Sequence, residues 1–114
     1  MPYISVSTTL SLSQEKKDEI ASMLGKYISL IPNKTEAVLM VDVSDGHTMY
    51  FGGQKRERCA FVDVRCYKNA RFEDNKAFIE AVYKLLNETT GLMETEIYVT
   101  IYEYPTWGTK GSLK

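Results

Sequence analysis

Histidine and tryptophan occur once each in this 114-residue chain, cysteine twice and proline three times. Each scarcity excludes something. His47, the single histidine, has no serine or cysteine pattern around it that would make a catalytic triad, and it reads as a loop residue. Two cysteines without clustered histidines give no metal-ligand spacing, so neither a metal nor another cofactor is expected. Cys59 and Cys66 fall in one apparent strand at an odd separation, which points them to opposite faces and forbids a bridge between them. No apolar run approaches the ~18 residues of a membrane span, and the first residues lack a signal pattern. The expectation is a cytoplasmic protein with reduced thiols and no membrane partner. Charge is also short of either sign: 14 Lys and Arg against 15 Asp and Glu leave a net charge of -1, which argues against a nucleic-acid partner. The run Lys55-Arg56-Glu57-Arg58 is broken by an acid and reads as a solvated turn.

What is present is a pattern made twice. Residues Tyr3 to Thr8 mix aromatic, β-branched and small side chains in the manner of a strand. Ser11 with Gln14, or Ser13 alone, offers an N-cap. Ile20, Met23, Leu24, Tyr27, Ile28 and Ile31 then recur at three and four residues, which predicts a helix from Gln14 to Leu30 with one apolar stripe. Pro32-Asn33 ends it, and Ala37 to Val43 is a nearly continuous apolar run that predicts a strand. The second half repeats the order: a strand from Cys59 to Tyr67, a helix face of Phe78, Ala81, Val82, Leu85 and Thr89 ending at Gly91, and a strand from Ile97 to Tyr104.

Two β-α-β units in one domain, residues 1–114, are therefore expected to form a four-stranded sheet with both helices on one face, an α/β fold. The other face is left bare. Strands rich in Val, Ile, Met and Tyr predict an exposed apolar patch there, and so an oligomer. Thr48 to Phe51, before Gly52-Gly53, reads as an extra edge strand available to a neighbouring subunit.

The amino terminus carries the chemistry. Removal of Met1 turns Pro2 into a free secondary amine on a rigid ring, a group able to act as a base. Together with Lys34-Thr35-Glu36-Ala37-Val38-Leu39-Met40-Val41, Met49-Tyr50-Phe51-Gly52-Gly53, the closing strand Ile97 to Tyr102 and Trp107-Gly108, this start resembles the macrophage migration inhibitory factor and D-dopachrome tautomerase family over nearly the whole length. The resemblance implies a homotrimer with an active site at each subunit boundary. It implies keto-enol tautomerisation of a small 2-keto acid such as phenylpyruvate, with Pro2 as general base and Lys34 holding the acid group. Tyr98 matches the family's pocket tyrosine, supplied by the neighbouring subunit, and Tyr67, Thr100 and Trp107 fall at substrate-binding positions. Thr100 stands where well-known members have asparagine, and Lys68, after Tyr67, where many have glycine. No CxxC pair is present, so no thiol-redox activity is implied. The same resemblance admits a protein-binding or signalling module with a vestigial pocket. It also admits a related enzyme that activates water or adds to an unsaturated acid, for which Arg65 and Arg71 are the candidate cations.

Overall fold

A computed structural model describes residues 1–114. Strand β1 (Pro2–Thr8) alternates in burial residue by residue, because its even positions, Ile4 and Val6 among them, turn toward the helices. Helix α1 (Gln14–Tyr27) starts on Ser13, whose hydroxyl accepts from Lys16 N at 3.0 Å. It tightens into a single 3₁₀ turn over Ile28–Leu30, so the α-helix stops three residues short of the expected end. Strand β2 (Met40–Ser44) also starts later than the apolar run suggests, because Glu36–Val38 wind into another 3₁₀ turn. Hairpin strands β3 (Met49–Phe51) and β4 (Gln54–Arg56) follow, then β5 (Ala60–Tyr67), helix α2 (Phe72–Thr90) and β6 (Ile97–Tyr104). A second small hairpin, β7 (Gly108–Thr109) with β8 (Ser112–Leu113), closes the chain.

The main sheet has the order β2-β1-β5-β6. β1 runs parallel to β2 and β5 parallel to β6, as helical crossovers require, while β1 and β5 are antiparallel. The two β-α-β units thus join back to back along β1 and β5. Ile20, Leu24 and Ile28 from the first unit meet Phe78, Val82 and Leu86 from the second above Ile4, Val62 and Val64. Phe78 is fully buried, and truncating it to alanine is expected to cost about 3–5 kcal/mol by the usual sum of lost transfer energy and cavity. Urea denaturation reads this directly.

The alternation in β1 and β5 sends most aliphatic residues to the helices, and the open sheet face carries the exposed apolar side chains Met40, Phe61, Tyr98 and Tyr102 interspersed with Ser5, Ser7, Asp63 and Arg65. Met49–Phe51 stays outside the main sheet and has a strand neighbour on one side only. Gly52 and Gly53, at φ +64° and +77°, make a two-residue turn that folds it back on Gln54–Arg56. Cys59 lies just before β5 with its Sγ 3.8 Å from Met49 Sδ, while Cys66 belongs to the core; both are buried and free.

Candidate active site

Pro2 opens β1 opposite Cys66 of β5 and is buried. A proline costs nothing in donors at a strand's first residue. Met1 is in place before it, so the Pro2 nitrogen is an amide and the chain's free amine belongs to Met1. The Met1 carbonyl accepts from Tyr67 N at 3.2 Å, extending the β1 pairing by one bond. Beside these residues a cleft of about 690 Å³ opens at the end of the sheet, lined by Val38, Met40, Arg65, Tyr104 and Trp107 with Met1 and Pro2. Trp107 is held by the closing hairpin, whose backbone pairs Trp107 with Lys114 through two bonds of 3.1 and 2.9 Å. Tyr104 packs edge-on against it at 6.0 Å.

Lys34 is not among the cleft's walls but lies close enough to the amino terminus for its charge to act on the Met1 amine. Pro32 and the left-handed Asn33, at φ +68°, turn the chain out of α1, and Lys34 N returns to Ile31 O at 3.2 Å. Its side chain runs inward and is only 7% exposed. The ammonium donates to the Tyr67 carbonyl at 3.0 Å. A buried lysine is uncommon, and this one is anchored by a single protein acceptor, which leaves its other protons for a ligand. The electrostatics follow from burial and from that cation. The amino-terminal amine is pushed below its ordinary value first by burial and then by the charge of Lys34. Burial pushes the Cys66 thiol up, so it stays neutral beside them.

The fold therefore places Pro2 and Trp107 on one cleft, with Lys34 and the backbone of Tyr67 joined to each other next to the amino terminus. The ring of Tyr67 is not among the cleft walls; it carries the Lys68 ammonium over its face at 5.2 Å. Lys68 itself sits at φ +68°, a left-handed position that explains why glycine suits it and lysine is strained there. Tyr98 and Thr100 lie elsewhere. Pro2 lines up through Cys66 with Glu103 of β6, two strands over, and Tyr98 is five residues back along that strand, roughly 16 Å from Glu103 and further still from Pro2. Tyr98 is 58% exposed and stacks on Phe51 of its own chain at 5.0 Å. Of the two candidate arginines, Arg65 lines the cleft, while Arg71 is exposed and paired with Asp74 at the start of α2. The walls formed by Val38, Met40 and Tyr104 carried no signal of their own in the sequence, since an apolar run and a strand aromatic read first as core.

An α/β subunit of two joined β-α-β units, with a proline at the first strand's start and a buried lysine beside it, defines the class. The sequence profile described as macrophage migration inhibitory factor (MIF) matches residues 1–113, and the chain belongs to that family. Among solved structures, it is similar to MIF2 of Leishmania major, with 21% identity, coverage of 100% of this chain and 97% of the other, and a TM-score of 0.89. The MIF-like protein of Entamoeba histolytica shares 23% identity over 99% and 98% of the two chains, with a TM-score of 0.85. Pt0534, in a structure inactivated by 2-oxo-3-pentynoate, shares 26% identity over 96% and 93%, also with a TM-score of 0.85. A search of curated proteins returns no match.

Proposed function

We propose that residues 1–114 act as one domain and catalyse keto-enol tautomerisation of a small 2-keto acid of the phenylpyruvate type, with Pro2 as general base once Met1 is removed. The observation that carries this reading is the buried Lys34 ammonium set beside an amino-terminal amine whose pKa is lowered. The same causes act on the Pro2 nitrogen one residue further in. A lowered pKa leaves more of the amine neutral near pH 7, the form that accepts a proton. Removing Met1 also takes away the carbonyl that accepts from Tyr67 N. That N–H and the free protons of Lys34 then converge on one spot next to the base, where they hold the carboxylate or the developing enolate oxygen. Pro2 moves the proton between C3 and the enol oxygen, and no cofactor is required for that step. Tyr98 and Thr100 enter such a site only from a second copy, so the reading includes the homotrimer.

The experiment is the ketonisation of enol-phenylpyruvate by Met1-free protein, followed by ultraviolet absorbance. Labelling with 2-oxo-3-pentynoate accompanies it: a nucleophilic Pro2 amine adds to the alkyne carbon, its proton passes to the neighbouring carbon, and the mass rises by one reagent. Neither turnover nor an adduct would leave the protein-binding module as the reading that stands. Arg65 in the cleft favours one further reading, in which the same site adds water to an unsaturated acid. Release of a hydrated product in place of a stable adduct identifies that activity by NMR.

A further inference from the structure

We infer that the cleft takes a 2-keto acid with a second carboxylate, and that Arg65 selects it. This deepens the tautomerase reading of the same site. Arg65 is the one charged side chain among the cleft's walls, which are otherwise apolar, aromatic or hydroxylated. No carboxylate lines the cleft, so its charge is that of a receptor for anions. The guanidinium is also held in place. Its Nε and one terminal nitrogen donate to Asp63 Oδ2 at 3.1 and 3.0 Å, and its plane lies 5.8 Å from the Tyr3 ring centre. The second terminal nitrogen has no protein acceptor. A cation fixed on one edge and unpaired on the other loses little further freedom when an anion binds.

The spacing supports two points of attachment. Lys34 is anchored on the carbonyl of Tyr67, and Arg65 is two residues earlier on the same strand, so the two backbone anchors are separated by roughly 7 Å. In the proposed binding mode the keto-acid end meets Lys34 and Pro2, and the second carboxylate extends along the cleft to the guanidinium, which leans toward Asp63. A monocarboxylic substrate leaves the Arg65 donor unused. The Asp63 bridge does not cancel the effect, because the Arg65 and Asp63 side chains are 49% and 30% exposed and water screens their attraction.

The test uses Met1-free protein and a matched pair of probes, 2-oxoglutarate and 2-oxopentanoate, equal in chain length and differing by one carboxylate. Trp107 is the only tryptophan and lines the cleft, so its fluorescence reads binding without turnover. Proton NMR in D2O reads exchange at C3, the signature of enolisation, on the same samples. The dianion is expected to bind at least about tenfold more tightly, the effect of one charge-assisted hydrogen bond in a partly wet site. Arg65→Ala should bring the ratio of the two affinities close to one, Arg65→Lys should keep part of it, and Asp63→Asn should enlarge it. A wild-type ratio within twofold of one overturns the inference whatever the variants do, as does a ratio that survives in Arg65→Ala. C3 exchange without a dianion preference leaves the tautomerase reading standing and removes Arg65 from it. An Arg65-dependent preference without exchange does the reverse.

Discussion

Retention of Met1 is the perturbation that bears most directly on the mechanism, because it changes one covalent bond and leaves every side chain in place. With Met1 present, Pro2 N is an amide and takes no proton near neutral pH. General-base catalysis supplies about 10²–10⁴ of a rate enhancement, so the Met1-bearing chain should be slower by at least that factor on enol-phenylpyruvate. Stability should move the other way. Met1 O accepts from Tyr67 N at 3.2 Å, and its removal leaves a donor without a protein partner. An unsatisfied buried donor costs about 1–3 kcal/mol, and since Tyr67 is half-buried the lower end applies. At about 1 kcal/mol the Met1-free protein should melt roughly 4 °C lower. A keto acid that takes the Tyr67 N–H should restore the loss in the Met1-free chain and do nothing for the other. Electrospray mass spectra sort the two forms, stopped ultraviolet traces give the rates, and thermal melts with and without phenylpyruvate give the stabilities. Pro2→Ala, which keeps an amine on a looser backbone, should fall between them in rate. Equal rates in all three would refute the base assignment, and equal ligand-induced shifts would refute the role of the Tyr67 N–H.

Lys34→Ala should raise KM for phenylpyruvate and move the acid limb of kcat/KM to higher pH. The lysine charge that helps lower the amine pKa is then gone while burial, the larger cause, remains; a pH–rate profile with an unmoved limb would contradict this. Asp45 ties the start of α1 to the loop after β2 by accepting from Leu12 N at 2.8 Å and from Lys17 Nζ at 2.9 Å, and these two bonds hold its carboxyl below the ordinary range. The stability it contributes is fully present above its unfolded pKa of about 3.9 and is lost as pH falls through the lower folded value. Asp45→Asn should therefore be less stable at neutral pH and flatter in acid, as read by urea midpoints across pH. Mixing Pro2→Ala chains with Tyr98→Ala chains after unfolding and refolding together should give more activity than either alone. Some sites then combine an intact Pro2 with an intact Tyr98 from another copy, and strictly additive residual rates would remove Tyr98 from the site.

The parts of the fold that were legible in the sequence are those fixed by local alternation or helical spacing. The two helix stripes, the four main strands and their pairing in two crossover units all follow from residues such as Ile20, Leu24, Phe78 and Val82 recurring at the right interval. Two features were obscured because competing signals of similar strength lay in the same residues. Ala37-Val38-Leu39 reads as strand by composition, yet the backbone turns there as a 3₁₀ element and delivers Val38 to the cleft. The closing hairpin turns on Lys110 and Gly111, both at positive φ, and only the glycine announces such a turn. In the candidate site, Pro2 and Lys34 stood out by chemistry, whereas nothing in the sequence separated Arg65 from Arg71 as a candidate cation. Asp63 and Tyr67 flank Arg65 on its own face of β5, and only the register with Tyr3 and the end of the sheet reveals that this face meets the cleft.

The position of β6 connects the site to assembly. It is an edge strand of the main sheet, eight residues long, with Tyr98 and Tyr102 exposed on its open face. Folded proteins shorten, charge or cover such edges, because an unpaired row of backbone donors and acceptors invites another chain. Here no charge from β6 points to the open face: Glu103, its one ionised residue, turns to the helix side and accepts from Ala70 N and Asn75 Nδ2. Covering is the remaining device, and in the proposed homotrimer a second copy would supply it while bringing Tyr98 and Thr100 toward a Pro2 from which they are separated in their own chain. On this reading the mixed apolar and polar character of the open face is no defect. Ser5, Ser7 and Asp63 tolerate water where copies leave a gap between them, and the tyrosines of β6 supply contact where they meet. Assembly and catalysis then depend on the same strand, and a change that frees the edge of β6 removes both together.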